Sequence, residues 1–342
     1  MTAERELALC EELGFNTVRI WIVFEAWLNE REFFMNMLEE YITMCAEHHL
    51  YVMICLTNEE DLPCGSFEDF VPRQVGEQAY ALGYHQGRFP EGEEAEQLPK
   101  WHYAQSPALA PKFWNMITDI VTKYADDSRV ICWNVYNEPG FTIGEACVPI
   151  LQKMFEVVRA CDPDQPLTAD IWRGLDDQDI PNTKEEVFAL EHSDVISFHA
   201  YLTLPQLCQN IDQFRVYGRP LFCTEWLHRI YHNNVCDAYP LFYIENIANY
   251  CWGFVVGKTQ TNEPWDIIWK QYEDPNIRMD LDFSKWQHDL YRPNLRPYDP
   301  KEIELIRRYN DIADKRLEQR NEGRCTDQRF EQRNEGRCTD QS

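Results

Sequence analysis

Two glutamates in this chain stand where an apolar run stops. The first is Glu138, in RVICWNVYNEPG (129–140), where Val130, Ile131, Cys132 and Trp133 open the run. Such a run has the pattern of a strand buried on both faces. Asn137 precedes the glutamate and Pro139 follows it, and proline cannot extend a central strand. The second is Glu225, in PLFCTEW (220–226), where Leu221, Phe222 and Cys223 lead into the acid and Trp226 follows. Two buried strands that each deliver a carboxylate at their end point to a paired-carboxylate site. Cleavage of a glycosidic bond needs such a pair: a proton donor for the leaving oxygen, and a second carboxylate for the anomeric carbon.

Other polar residues in strand-like runs could join that pair. Arg19 lies inside FNTVRIW, where an arginine needs a carboxylate partner. A purely structural ion pair is the alternative reading. His199 and Tyr201 are two apart in DVISFHAYL, so their side chains share one face of a strand. A histidine in a strand can equally be a satisfied core residue. Trp252, in YCWGFVVG, presents an indole on which the C–H face of a sugar can pack, as can aliphatic side chains.

Taken together and in order, GFNTVRIW, NEP, HAY, TEW and CWG resemble the clan A glycoside hydrolases, most of all the family 5 cellulase and mannanase type. The resemblance covers roughly residues 14 to 310. It implies a (β/α)8 TIM-type barrel with Glu138 as general acid/base and Glu225 as nucleophile of a retaining mechanism. It further implies that Arg19 hydrogen-bonds the nucleophile, that Tyr201 lies near it, and that His199 meets substrate or the acid/base. Asn137 would hold the sugar 2-hydroxyl, and Trp252 would be the aromatic platform. No metal and no organic cofactor is implied, and the partner is a β-linked carbohydrate of glucan, mannan or xylan type. The chain departs from the family after YVMICLT, where a histidine is usual and Asn58, Glu59, Glu60 and Asp61 stand instead. That substitution weakens any transfer of standard cellulase specificity.

Strand-like and helix-like segments alternate along the chain, as expected of a parallel sheet with right-handed crossovers. TAERELALCEEL (2–13) reads as a helix ended by Gly14. In the family this helix and the strand after it are the first helix and second strand, so the first strand is expected to be missing. Helices are expected at about 30–50, 111–125, 148–160, 183–190 and 239–249, and over LPQLCQNIDQFRVYG. A closing helix is expected over PKEIELIRRYNDIADKRL. Residues 58–106 and 258–297 read as long loops over the catalytic face, a length usual for functional or disordered segments. The barrel domain is placed at 1–317. The tail holds EQRNEGRCTDQ twice, at 318–328 and 331–341, and with almost no apolar content it is expected to be disordered.

Composition narrows the partners. The 342-residue chain carries a formal net charge of -26, which disfavours nucleic acid and anionic membrane surfaces. No apolar run is long enough to span a membrane, and no secretory leader is evident. The 13 cysteines show neither zinc spacing nor a small disulfide framework. Cys55, Cys132, Cys223 and Cys251 sit in apolar runs as small hydrophobes, so a reducing, cytoplasmic setting is expected. GxSxG, GxxxxGK[ST] and HExxH do not occur, which removes the corresponding hydrolase, nucleotide and zinc chemistries. A catalytically silent carbohydrate-binding barrel remains the rival reading.

Overall fold

The computed structural model describes residues 2–60, 62–72, 85, 98–173 and 183–335, with side chains up to 320. Seven short strands alternate with helices in the described residues. They are β1 (Thr17–Trp21), β2 (Tyr51–Cys55), β3 (Val130–Tyr136), β4 (Leu167–Ala169), β5 (Ile196–His199), β6 (Leu221–Trp226) and β7 (Ala248–Cys251). Every ladder is parallel, in the order β1-β2-β3-β4 and β5-β6-β7. A bridge between Ile171 and Phe198 joins the two groups. Parallel neighbours need long crossovers. Helices such as Arg31–Glu47, Ala110–Tyr124 and Val148–Ala160 supply them, each burying one apolar stripe.

The apolar runs of the central strands follow from this geometry. One face of each strand meets the helix layer and the other meets the barrel interior. Met53 of β2 and Cys132 of β3 form an interior cluster with Val195, against which Phe222 of β6 and Tyr250 of β7 pack. Side chains from strands far apart in the sequence can meet there only because the sheet curls round. Cys55, Cys132 and Cys223 are buried free thiols, the small hydrophobes expected of them. None of the helices among the described residues is long and apolar enough to cross a membrane.

The seven strands correspond to those expected from the second onward. Among the described residues no ladder joins β7 to β1. That seam is closed by rings: Trp21 meets Trp252 edge-on at 4.9 Å, and Phe15 meets Phe254 at 6.1 Å. A groove of about 460 Å³ opens beside it, with Phe15, Thr17, Tyr243 and Tyr250 in its walls.

Boundaries shift in two places. The helix expected at 239–249 spans Val235–Glu245 and is stopped by Asn246 in a left-handed conformation, so β7 begins earlier than expected. The closing helix spans Pro300–Glu335 and runs through the first copy of the repeat into the second, where disorder was expected. Glu, Gln and Arg are strong helix formers, so a segment with nothing apolar to bury can still continue a helix already nucleated against the barrel. Residues 336–342 lie outside the described residues, as do Asp61 and most of 73–97 in the first long loop.

Candidate active site

All the strand-end residues singled out by sequence converge at the C-terminal rim, where parallel barrels carry their chemistry. Arg19 comes from β1, and Asn137 and Glu138 follow directly on β3. His199 ends β5, with Tyr201 two residues beyond. Glu225 lies in β6, and Trp252 follows β7.

Arg19 is the hub. Its Nη1 donates to Glu225 Oε1 at 2.7 Å, and its Nη2 donates to Asn137 Oδ1 at 2.6 Å and to Asp170 Oδ2 at 2.8 Å. An arginine has no acceptor, so it must face the oxygen of the Asn137 amide. Burial works against the Arg19 charge, but Asp170 and Glu225 outweigh it and hold the guanidinium firmly protonated. Its guanidinium also lies 4.4 Å from the centre of the Trp21 ring. Trp252, packed edge-on to Trp21, thereby joins the site at one remove.

Glu225 accepts a second hydrogen bond on its other oxygen, from Tyr201 Oη at 2.7 Å. Both oxygens are thus oriented, one by a cation and one by a phenol. Burial, and then the neighbouring Glu225 charge, push the Tyr201 hydroxyl well above its ordinary range, so it remains a donor.

His199 stands between the two glutamates. Its Nδ1 lies 2.6 Å from Glu138 Oε1 and 3.5 Å from Glu225 Oε2, and its Nε2 lies 3.6 Å from Asp170 Oδ2. Burial alone would lower the imidazole, but Glu225, Asp170 and Glu138 together raise it to about 10. Burial has the opposite effect on Glu138. It raises that carboxyl, and His199 only partly offsets the rise. One oxygen of each glutamate and one imidazole nitrogen fall within 4.8 Å of one another. Two oxygens and a nitrogen could in principle share a cation. The 2.6 Å contact between His199 and Glu138 instead directs their lone pairs at a common proton.

Glu138 also has an unusual backbone, with φ of 45° in the left-handed region. A non-glycine residue there is strained unless its surroundings fix it. Gly140, at φ 83°, completes the reversal, and Phe141 N donates to Glu138 O at 3.1 Å.

Sequence reasoning missed Asp170. This buried aspartate accepts from Arg19, from Asn134 Nδ2 at 2.6 Å and from Thr224 Oγ1 at 2.6 Å. Burial opposes its charge, but Arg19 and His199 hold the carboxyl well below the usual range. It follows β4 directly, so the strand-end rule that found Glu138 and Glu225 would have found it too. His102 was missed as well. It approaches Thr57 Oγ1 through Nε2 at 3.0 Å and accepts from Ala104 N through Nδ1, just beyond β2. Of the other tryptophans near the rim, Trp226 is fully buried and donates to Asn249, so it is core. Trp172 donates to Pro139 O at 3.1 Å, and Trp265 packs edge-on to Tyr201 at 4.9 Å.

Residues 2–255 match the family model for cellulase (glycosyl hydrolase family 5). The chain belongs to this family. No curated protein sequence matches it. Among solved structures, the endo-β-1,4-mannanase of Thermotoga petrophila superposes with a TM-score of 0.55 at 14% identity, over 91% of this chain and 73% of that one. The endo-1,4-β-mannanase of Rhizomucor miehei gives 0.54 at 11% identity, over 92% and 90%. Endo-glycoceramidase II of a Rhodococcus species gives 0.52 at 14% identity, over 89% and 73%. At these identities the superpositions speak for the barrel fold. Family membership makes the protein a glycoside hydrolase acting on carbohydrate.

Proposed function

We propose that this family 5 enzyme is a retaining β-glycosidase acting on a glucan, mannan or xylan, or a fragment of one. Glu225 is the nucleophile and Glu138 the acid/base. The observation that carries this reading is the close approach of the two carboxylates, whose facing oxygens fall within 4.8 Å. Inverting enzymes separate their carboxyl groups by about 6.5–9.5 Å to admit a water, whereas retaining ones use about 5–5.5 Å. Mannan is favoured among the three because two of the superposed structures are mannanases.

In the first step Glu225 attacks the anomeric carbon while Glu138, whose carboxyl burial raises above its ordinary value, gives its proton to the leaving oxygen. Arg19 and Tyr201 each hold one oxygen of the nucleophile and aim it. Once Glu225 is esterified its charge is gone, and Glu138 more readily releases a proton. It then takes one from the incoming water, and the glycosyl-enzyme is hydrolysed. Asn137 Oδ1 is occupied by Arg19, so its Nδ2 is the group that meets the sugar 2-hydroxyl.

The test is proton NMR of the first-formed sugar anomer from aryl β-glycosides, together with Glu225→Ala. Retention of configuration, and partial recovery of that variant by azide or formate, are the expected results. An inverted first product would sink the mechanism. No turnover on any aryl glycoside or polysaccharide would leave a carbohydrate-binding barrel.

A further inference from the structure

The loop that carries Glu138 is held from two sides by residues that the chemistry does not use. On one side is Glu59, fully buried four residues beyond β2. Its Oε1 accepts from Gly140 N at 2.8 Å and Tyr136 Oη at 2.9 Å, and its Oε2 accepts from Thr142 N at 2.7 Å and Ile143 N at 2.8 Å. Its main-chain carbonyl takes a further bond from Thr142 Oγ1 at 2.6 Å. On the other side Trp172 Nε1 donates to Pro139 O and Arg173 Nη2 donates to Gly140 O, both at 3.1 Å. Arg173 is itself fixed by Glu185, 2.6 Å away and buried. A Cβ built on Gly140 would stand 2.5 Å from Glu185 Oε1, so this side fits tightly against the turn.

Between these two grips lies a glutamate in a strained conformation. A carboxylate that collects the amides of Gly140, Thr142 and Ile143 fixes where the loop starts, and the carbonyl contacts opposite fix its tilt. Neither Glu59 nor Arg173 hydrogen-bonds to Glu138, Glu225 or His199, so both act through the backbone. We infer that Glu59 is the positioning residue for the acid/base of this enzyme, pinning the Glu138 turn by its amides while Arg173 pins it by a carbonyl. The inference rests on the glycosidase reading above and deepens it. It assigns a task to the carboxylate that stands where the family's histidine was expected.

Glu59→Gln keeps the shape but replaces one acceptor oxygen with an NH₂ group that faces amide donors. If Glu59 sets proton-transfer geometry, kcat/KM should fall about 10–100-fold for a phenyl or alkyl leaving group, which needs the acid. A dinitrophenyl leaving group, which needs none, should lose less than about 3-fold. Arg173→Lys should give the same split from the opposite side, and it carries the test if Glu59→Gln does not fold. An equal loss on both leaving groups, or no loss on either, would overturn the inference.

A second measurement does not depend on turnover. With ¹³C-labelled glutamate, the Glu138 titration should move down in Glu59→Gln, as a loosened turn lets water reach the carboxyl. His199, Glu225 and Asp170, the charges that face it, are unchanged in that variant. A Glu138 titration that stays put would overturn the inference even if the wild type cleaves nothing. Wild-type inertness would defeat the glycosidase reading, and the titration would still decide this one.

Discussion

Histidines are buried in two kinds of surroundings in this barrel, charged and uncharged, with opposite consequences. His199 faces Glu138, Glu225 and Asp170, and despite burial its imidazole rises to about 10. On the far side of Tyr201, His228 and His288 pack against one another with ring centres 5.3 Å apart, beside Trp265 and Gln287. Burial drives His228 down to about 3 and His288 well below its ordinary value. His102, enclosed beyond β2, also falls to about 3 through burial. Burial decides that a histidine will be sensitive, and the charges within about 4 Å decide in which direction. One neighbourhood makes a cation that can manage protons. The other makes neutral, aromatic filler behind the tyrosine that orients the nucleophile.

The largest effect should come from removing the hub of the charged neighbourhood. Arg19→Met takes from Asp170 and Glu225 the guanidinium that pairs with both, and a broken buried pair costs about 3–5 kcal/mol. Chemical denaturation should register that loss. The rate on aryl glycosides should also fall, because the nucleophile loses the guanidinium that aims it. A rate that does not fall would show that Arg19 does not position the nucleophile.

The pH dependence of stability should separate the two neighbourhoods by sign. His102 and His228 stay neutral in the folded protein but protonate near pH 6.5 when unfolded. Their contribution is therefore lost as pH falls from about 6.5 toward 3. His199 is protonated when folded, so its contribution is complete below about 6.5 and is lost as pH rises through about 10. Each histidine accounts for at most roughly 1.4 kcal/mol per pH unit crossed. In denaturation series, His102→Gln should flatten the acid side alone and His199→Gln the alkaline side alone.

A smaller change would test whether one neighbourhood can be turned into the other. Gln287 Nε2 stands 2.7 Å from His288 Nε2. Gln287→Glu should raise the His288 titration seen by imidazole NMR, and an unmoved His288 would mean that burial there outweighs an adjacent carboxylate. The smallest effect is expected for deletion of 318–342. That segment has almost no apolar content to bury, so stability should change by no more than about 0.5 kcal/mol. A larger loss in the melting curve would mean that the repeat docks.

Glu138, Glu225, Arg19, His199 and Tyr201 could be read from the sequence because each interrupts or ends an apolar strand. A parallel barrel brings all such ends to one rim. Asp170 obeys the same rule, but its strand has only three residues in the ladder, and among 58 acidic residues it gave little reason to be singled out. Glu59 was visible as a departure from the family. Its task was not, because its partners lie 77 to 84 positions away and most are backbone amides, which have no sequence signature. The long helix at the C-terminus was misread for a different reason. Low apolar content rules out a core but does not rule out a helix.

The ring-closed seam between β7 and β1 bears on how the protein breathes. Among the described residues, Arg19 is carried by a strand whose ladder lies on one side only, against β2. In a sheet such strands exchange their amide hydrogens first, because opening them breaks half as many bonds. Each such opening takes the guanidinium away from Glu225. Momentary disarming of the nucleophile and local unfolding of β1 are then the same event, and an inhibitor that grips Glu225 should slow deuterium uptake in Thr17–Trp21 without touching it.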